Sequence, residues 1–266
     1  MDDRPIGVFD SGLGGLTVVS EIMKSLPNES LIYFGDNGRT PYGTKSKETV
    51  IKYTKQDVAF LLSKDVKMLV VACNTVSALA LSEVSSAISV PVLEVIKPGA
   101  KSALKKTKSG RIGIIATPGT IASGVYSSAI LNLNPAVEIY SKACPLFVSL
   151  VEEGWWNNEI ARMVAEEYLK DIKKEKVDTL VLGCTHYPLL SDTIRKVMGD
   201  EVSQVNSAKE LALALKELLE EKEMSAEQKP AQYMYYTSDS VEKFKELGKL
   251  ILSADIENVE RVDVGN

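Results

Sequence analysis

Two cysteines stand in matched positions, each directly behind an apolar segment. Cys73 follows residues 68–72, and Cys184 follows residues 179–183. Both precede polar residues of the kind that often cap a following helix, whose N-terminus favours a thiolate. A thiol with an ordinary pKa of about 8.5 can be tuned for general acid/base work. The pair therefore indicates two acid/base thiols rather than two inert core side chains.

The segments around these cysteines form a weak internal repeat. Residues 5–11 parallel 111–117, and residues 68–75 parallel 179–186, at offsets of 106 and 111 residues. Buried strands resemble one another in any protein, which is the alternative explanation for either pair alone. Two pairs in the same order predict two similar α/β lobes.

Two further polar residues could assist the thiols. His186, the single histidine, lies two residues after Cys184, and residues i and i+2 of an extended segment point to the same side. It could exchange a proton with that thiol, or simply cap or pack. Asp10 closes the first apolar segment and could assist Cys73, or serve as a turn or N-cap aspartate. Cys144, before a proline, is predicted to be core.

Apolar runs alternate with helical patterns, which predicts parallel sheets covered on both faces, an α/β fold. Ligands of such sheets bind at the carboxyl ends of the strands, so chemistry is expected in a cleft between the two lobes. Strands are predicted at 6–9, 31–34, 68–72, 92–95, 112–116, 137–140, 179–182 and 233–236, and helices include 47–63, 158–174 and 208–223.

A glycine-rich loop leaves a dinucleotide-binding alternative open. Residues 12–17 nearly match the fingerprint, but Thr17 replaces the third glycine, and Asp36 stands where an acid might bind ribose. Asp10 would put negative charge beside a pyrophosphate, so the glycines more simply let a loop approach a small anion. Residues 39–43 form a second candidate ligand loop, or an ordinary turn.

Composition limits the function classes. The 266 residues are 45% hydrophobic and 25% charged, with a net charge of -5 and no basic block, so a nucleic-acid partner is not expected. No apolar run is long enough to span a membrane, and no signal-peptide core follows Met1, so we expect a cytoplasmic protein with reduced thiols. One histidine and three cysteines make a structural zinc site improbable, and no metal is expected.

Taken together, the motifs resemble those of bacterial glutamate racemases, within the aspartate/glutamate racemase family. The similarity runs from about residue 5 to about residue 208, and residues 236–239 resemble the last strand of that family. The matching segments are 10–15, 41–43, 72–75, 143–147, 151–154 and 183–189.

The resemblance implies two flavodoxin-like lobes, the first covering 1–96 plus 208–266 and the second 97–207. It implies an isomerase that interconverts L- and D-glutamate without cofactor or metal, in a homodimer, and supplies D-glutamate for peptidoglycan synthesis. It makes Cys73 and Cys184 the two catalytic thiols, assisted by Asp10, His186 and Glu152. It places substrate contacts at Asp10, Ser11, Tyr42, Gly43, Asn74, Thr75, Thr185 and His186.

The sequence departs from the family pattern at two places. Asn37-Gly38 stands where many members carry Thr-Ala, and Asn206 where many carry Asp. The first could alter the loop of Tyr42, and the second the lobe boundary. A related racemase acting on aspartate or hydantoin, and a two-lobed binding protein without catalysis, remain alternatives.

Overall fold

The computed structural model describes residues 1–227 and 230–265. Strands and helices alternate along the chain, with short 3-10 turns between some of them. The strands are β1 (Ile6–Asp10), β2 (Leu31–Gly35), β3 (Met68–Val71), β4 (Val92–Glu94), β5 (Arg111–Ala116), β6 (Glu138–Ala143), β7 (Thr179–Gly183), β8 (Ser203–Asn206), β9 (Tyr233–Thr237) and β10 (Val259–Arg261).

The helices cover the faces of the sheets. They are α1 (Leu16–Ser25), α2 (Lys47–Leu62), α3 (Asn74–Leu79), α4 (Leu81–Val84), α5 (Ile96–Lys106), α6 (Pro118–Ser123), α7 (Val125–Leu133), α8 (Leu146–Glu152), α9 (Glu159–Lys174), α10 (Ser191–Met198), α11 (Ser207–Glu221) and α12 (Val241–Leu252).

Two parallel sheets organise the molecule into two lobes. The first sheet has the order β10-β9-β2-β1-β3-β4, and the second has the order β6-β5-β7-β8. The strand order β2-β1-β3-β4 of the first sheet is repeated in the second, so the internal repeat predicted from the sequence is confirmed. β9 and β10, from the C-terminal part of the chain, extend the first sheet beside β2.

The strands that carry the repeat are the most deeply buried. Every residue of β1, β3 and β7 is buried, as expected of apolar strands covered on both faces. The main apolar cluster is continuous between the lobes, because it contains Val8 of the first sheet, Ile114 of the second, and Ala100 and Leu211 of α5 and α11 between them. This shared packing fixes the edges of the two sheets relative to each other.

Two strands were missed by the sequence analysis. β8 is short and carries Ser, Gln and Asn, and β10 has three residues, two of them charged. Neither has the apolar run that identified the others; both are edge strands held by a neighbour's main chain. The eight strands and three helices that were predicted are present, although β6 continues to Ala143 rather than ending at Tyr140.

None of the helices within residues 1–227 and 230–265 has the length and apolar character needed to cross a membrane.

Candidate active site

The predicted site residues meet at the carboxyl ends of the central strands. Asp10 ends β1, Thr117 follows β5, and the two cysteines come just after β3 and β7. Thr117 and the two cysteines border a cavity of about 10 Å³, which is room for about one water molecule. An amino acid could therefore enter only if the walls moved apart. The lining residues are Ser11, Pro41, Tyr42, Gly43, Cys73, Asn74, Thr75, Thr117, Val148, Cys184, Thr185 and His186.

Cys73 occupies the N-cap position of α3 and points into this cavity. Its sulfur lies 3.6 Å from the hydroxyl of Ser11, and the residue is 4% exposed. Burial, together with the negative charge of Asp10, raises the pKa of Cys73 to about 12. The helix N-terminus does favour a thiolate, as expected, through a hydrogen bond from the amide of Val76, but desolvation outweighs this effect of a six-residue helix.

Cys184, His186 and Glu152 form a chain of polar contacts. The sulfur of Cys184 lies 3.7 Å from Nδ1 of His186, and Nε2 of His186 lies 2.7 Å from Oε1 of Glu152. The predicted proximity of Cys184 and His186 is confirmed, but its cause differs. β7 ends at Gly183, and a turn rather than an extended segment brings the two side chains together.

These contacts with Cys184 and Glu152 favour the protonated form of the His186 imidazole. Burial disfavours the charged ring, but the contacts with Cys184 and Glu152 outweigh it and hold the pKa of His186 well above its usual value. Burial likewise opposes ionisation of Glu152, yet the hydrogen bond from His186 keeps the pKa of that carboxyl below its usual value. An imidazolium between the two can donate one proton to the sulfur and one to the carboxylate.

Asp10 is fully buried and joins the two lobes. Its Oδ1 accepts from the hydroxyl of Thr185 at 3.1 Å, and its Oδ2 accepts from the amide of Gly12 at 3.1 Å. Burial raises the pKa of Asp10 to about 6, although the positive charge of His186 opposes the shift. Near neutral pH the carboxylate carries negative charge that acts on the thiol of Cys73.

A second set of contacts crosses the cleft at α3. The hydroxyls of Thr75 and Thr117 lie 2.9 Å apart, and the hydroxyl of Tyr126 on α7 donates to Oδ1 of Asn74 at 2.7 Å. The amide nitrogen Nδ2 of Asn74 is buried and has no hydrogen-bond partner within the described residues. Asn74 thus brings an unpartnered donor to the residues that line the cavity.

The loop of Tyr42 and Gly43 closes the cavity from the first lobe. The hydroxyl of Tyr42 donates to the carboxylates of Asp36 and Asp57, the latter at 3.0 Å, so it is occupied away from the cavity. Tyr42 therefore reaches the cavity through its other atoms. Gly43 lies against the second lobe, and a Cβ placed on it would be 2.3 Å from Cβ of Thr117. Only glycine allows this approach.

Asp36 also accepts from the side chains of Arg39 and Ser238, at 2.6 and 2.7 Å. With Tyr42, these donors tie the 39–43 loop and the segment after β9 to one carboxylate. The dinucleotide interpretation required Asp36 to bind a ribose, but its carboxylate is already occupied by hydrogen bonds that fix the 39–43 loop. Asp36 has a structural role in this fold.

The two departures from the family pattern fit the fold without strain. Oδ1 of Asn37 accepts from the hydroxyl of Thr237 at 3.1 Å, and the amide of Gly38 donates to the hydroxyl of Ser238 at 2.9 Å. Asn206 caps α11 by accepting from the amide of Ala208 at 3.0 Å. An aspartate oxygen could accept the same bond, so this change leaves the helix start intact.

Sequence reasoning missed several residues of the site. Thr17 replaces the last glycine of the fingerprint and donates from its hydroxyl to the carbonyls of Gly14 and Thr185. Val148 lines the cavity, and Tyr126 contacts Asn74. The threonine could have been recognised from its place in the glycine loop. Nothing in the local pattern distinguishes the other two from ordinary apolar positions of a helix.

Cys144 is fully buried in the second lobe, as predicted, and its carbonyl accepts from the hydroxyl of Tyr187 at 2.8 Å. In the part of the chain that the structure describes, no three His, Cys, Asp or Glu side chains are grouped as metal ligands.

Comparison with known proteins identifies the family. The family model for Asp/Glu/Hydantoin racemase matches residues 7–214. A glutamate racemase of Geobacter metallireducens is 48% identical over 264 residues, which is 98% of this chain and 97% of the relative. The chain belongs to the Asp/Glu/Hydantoin racemase family.

Solved structures of glutamate racemases share the whole fold. A glutamate racemase isoform from Bacillus anthracis superposes with a TM-score of 0.95 at 41% identity, covering 99% of this chain and 98% of the other. The enzyme of Francisella tularensis, solved with D-glutamate, gives a TM-score of 0.92 at 41% identity, with 99% of both chains covered. The two-lobed α/β architecture predicted from the sequence is confirmed.

Proposed function

We propose that this protein is a glutamate racemase, an isomerase that interconverts L- and D-glutamate and supplies D-glutamate for peptidoglycan synthesis. One observation carries the proposal: Cys73 and Cys184 come from equivalent positions of the two lobes and border the same cavity. The similarity to glutamate racemases, one of them solved with D-glutamate, selects glutamate among the substrates of the family.

The two thiols divide the proton transfers. One sulfur, as thiolate, removes the α-proton and leaves the electron pair on carbon; the other, as thiol, delivers its proton to the opposite face. The first sulfur ends protonated and the second as thiolate, so the reverse reaction uses the same groups with exchanged roles. Two bases meet the geometric need, because one base reaches only one face of a bound carbanion.

The assisting groups supply and hold these protons. His186 as imidazolium donates towards the sulfur of Cys184, and Glu152 stabilises that charge. Asp10 lies on the side of Cys73, whose pKa it contributes to raising, and is placed to accept a proton or to bind the substrate ammonium. An α-proton is far less acidic than a thiol, so hydrogen bonds to the carbanion and exclusion of water must lower the barrier.

Substrate would be held by main-chain amides and small polar groups. Among the residues that the structure describes, no lysine or arginine lines the cavity, so the carboxylates would be bound by amides near Ser11, Gly43, Asn74 and Thr185. The hydroxyl of Thr75 would add a further donor. The small closed cavity favours water exclusion once substrate is inside.

The decisive experiment follows isotope exchange and configuration together. L-Glutamate is incubated in heavy water with the purified protein and no added cofactor, and loss of the α-proton signal and of optical rotation are recorded. Exchange accompanied by racemisation is expected. If aspartate or a hydantoin is turned over instead, the substrate assignment fails; binding of glutamate without exchange would identify a binding protein.

We also propose lobe limits of 1–96 plus 208–266 and 97–207. Support comes from α5 and α11, which begin at Ile96 and Ser207 and lie where the chain passes between the sheets. A homodimer rests on the resemblance to a family whose members commonly form dimers, and sedimentation tests it. A cytoplasmic location is supported by three free cysteines; fractionation of cells tests it.

A further inference from the structure

Tyr126 is a buried residue of the second lobe that reaches into the first. It lies on α7, is 2% exposed, and its hydroxyl donates to Oδ1 of Asn74 at 2.7 Å. Asn74 is the first residue of α3, which directly follows Cys73. The contact therefore joins a helix of one lobe to the substrate-facing helix start of the other.

The direction of this hydrogen bond fixes the orientation of the Asn74 amide. Burial, with the negative charge of Glu94, holds the pKa of Tyr126 well above its usual value, so the phenol keeps its proton; its oxygen accepts from the side chain of Ser207, and its proton is donated to Asn74. A phenol that donates must face the amide oxygen. The amide nitrogen then points the other way, where it is buried and has no partner within the described residues.

A buried hydrogen-bond donor without a partner destabilises a protein, unless a ligand in the neighbouring cavity accepts a hydrogen bond from it. Asn74 lines the cavity with both thiols, and within residues 1–227 and 230–265 no lysine or arginine does. A ligand group that satisfies an N–H₂ donor must be an acceptor, and a carboxylate oxygen gives the stronger, charge-assisted bond.

We propose that Tyr126 is a positioning residue for substrate: its hydroxyl holds the Asn74 side chain so that Nδ2 faces the cavity and donates to a substrate carboxylate. The inference rests on the proposed function and deepens it. The bond also crosses between the lobes, so a residue of the second lobe sets the orientation of a substrate-binding donor in the first.

The first test is a variant of Tyr126 that lacks only the hydroxyl group. In Tyr126→Phe the amide can rotate, and we expect KM for both enantiomers to rise about five- to tenfold, the usual loss for one buried hydrogen bond, with a smaller change in kcat. Tyr235→Phe, which alters another buried tyrosine in the first lobe, should leave both constants unchanged. Racemisation by the unaltered protein tests the proposed function separately.

A double-mutant cycle separates positioning from general packing. If Tyr126 acts through Asn74, Tyr126→Phe should have no further effect on KM in an Asn74→Ala background. Additive effects of the two changes, or an unchanged KM in Tyr126→Phe alone, would overturn the proposal.

A second variant keeps the test open if Tyr126→Phe lowers the melting temperature. Asn74→Asp retains an oxygen for the Tyr126 hydroxyl but replaces the donor facing the cavity with a carboxylate oxygen. Calorimetric titration with D-glutamate should then show binding weakened at least a hundredfold, with the fold intact by circular dichroism. Affinity within threefold of the unaltered protein would mean that Nδ2 does not face the substrate.

Discussion

In the turn after β7, the sulfur of Cys184 lies 3.7 Å from Nδ1 of His186. No equivalent histidine stands beside Cys73, whose sulfur instead lies 3.6 Å from the hydroxyl of Ser11. The two thiols therefore occupy matched positions but have different proton partners. This asymmetry means that the proton transfer at Cys184 and the one at Cys73 depend on different assisting groups, and each direction of a racemisation passes through both transfers.

Each active-site thiol should be indispensable. Cys73→Ala and Cys184→Ala are expected to reduce racemisation by at least about four orders of magnitude, since each removes one of two obligatory proton-transfer groups. Polarimetry with either enantiomer measures the loss, and circular dichroism reports the fold. Cys144→Ala is the matched control, because this buried thiol lies in the apolar core of the second lobe. Substantial turnover by either active-site variant would refute the two-thiol scheme.

Removal of His186 should affect the two directions unequally. The equilibrium constant of a racemisation is one, so kcat/KM stays equal for both enantiomers in any variant. The difference must therefore appear in kcat and in the isotope effect. In His186→Asn we expect a larger primary deuterium isotope effect for the enantiomer whose α-proton Cys184 removes. Equal isotope effects from 2-deuterated L- and D-glutamate would argue against this pairing.

Glu152 should set the pH range over which His186 works. Its carboxylate helps to hold the pKa of the imidazole above the usual value, so Glu152→Gln lowers that pKa. The imidazolium is then lost at lower pH, and kcat should begin to fall earlier as the pH rises. Glu153→Gln, at the exposed neighbouring position, serves as control. A high-pH limb that stays in place or moves upward would contradict the role given to Glu152.

Much of this site could be predicted because its chemistry follows apolar strands. The runs before Cys73 and Cys184 identify buried parallel strands, and parallel strands bring their carboxyl ends to one edge. That logic placed Asp10 and both cysteines correctly. It also gave the correct neighbour for Cys184, although through an extended geometry that the turn at Cys184 does not have.

The rest depends on contacts between lobes, which no local pattern encodes. Tyr126 looks in the sequence like any buried aromatic residue of a helix, and only the tertiary structure shows that its hydroxyl contacts Asn74 of the other lobe. The high pKa of Cys73 is similarly a product of tertiary burial, whereas the helix N-terminus alone suggested the opposite shift. β10 forms only because the main chain of β9 is available to pair with it.

The buried carboxylate of Asp10 should lower stability as the pH rises. Its pKa of about 6 in the folded protein exceeds the ordinary value of 3.8, so the folded state binds this proton more tightly. The free energy of unfolding then decreases as the pH rises between these two values. Asp10→Asn removes this loss and should stabilise the protein at pH 7 by on the order of 3 kcal/mol, while abolishing or greatly reducing activity.

The same substitution should bring little gain at pH 4, where Asp10 is already protonated in the folded state. Urea titrations of both proteins at the two pH values measure the difference. Asp200→Asn, which changes a surface aspartate, provides the control. A stability gain from Asp10→Asn that is equal at both pH values would show that the effect comes from packing rather than from ionisation.

Closure of the cleft should tolerate no side chain at Gly43. A Cβ there would lie 2.3 Å from Cβ of Thr117 in the opposite lobe, so Gly43→Ala must displace the loop or hold the lobes apart. A displacement of about 1 Å can reduce kcat/KM about a hundredfold, and we expect a loss of that size with little change in melting temperature.

In Gly38→Ala, on the same loop, the nearest atom to the new Cβ is the carbonyl oxygen of Ser238 at 3.2 Å. That smaller conflict faces the first lobe rather than the cleft, so this variant should keep most of its activity. Equal losses in the two variants would mean that the loop is sensitive to any added methyl group, and that the contact of Gly43 with Thr117 has no special part in closure.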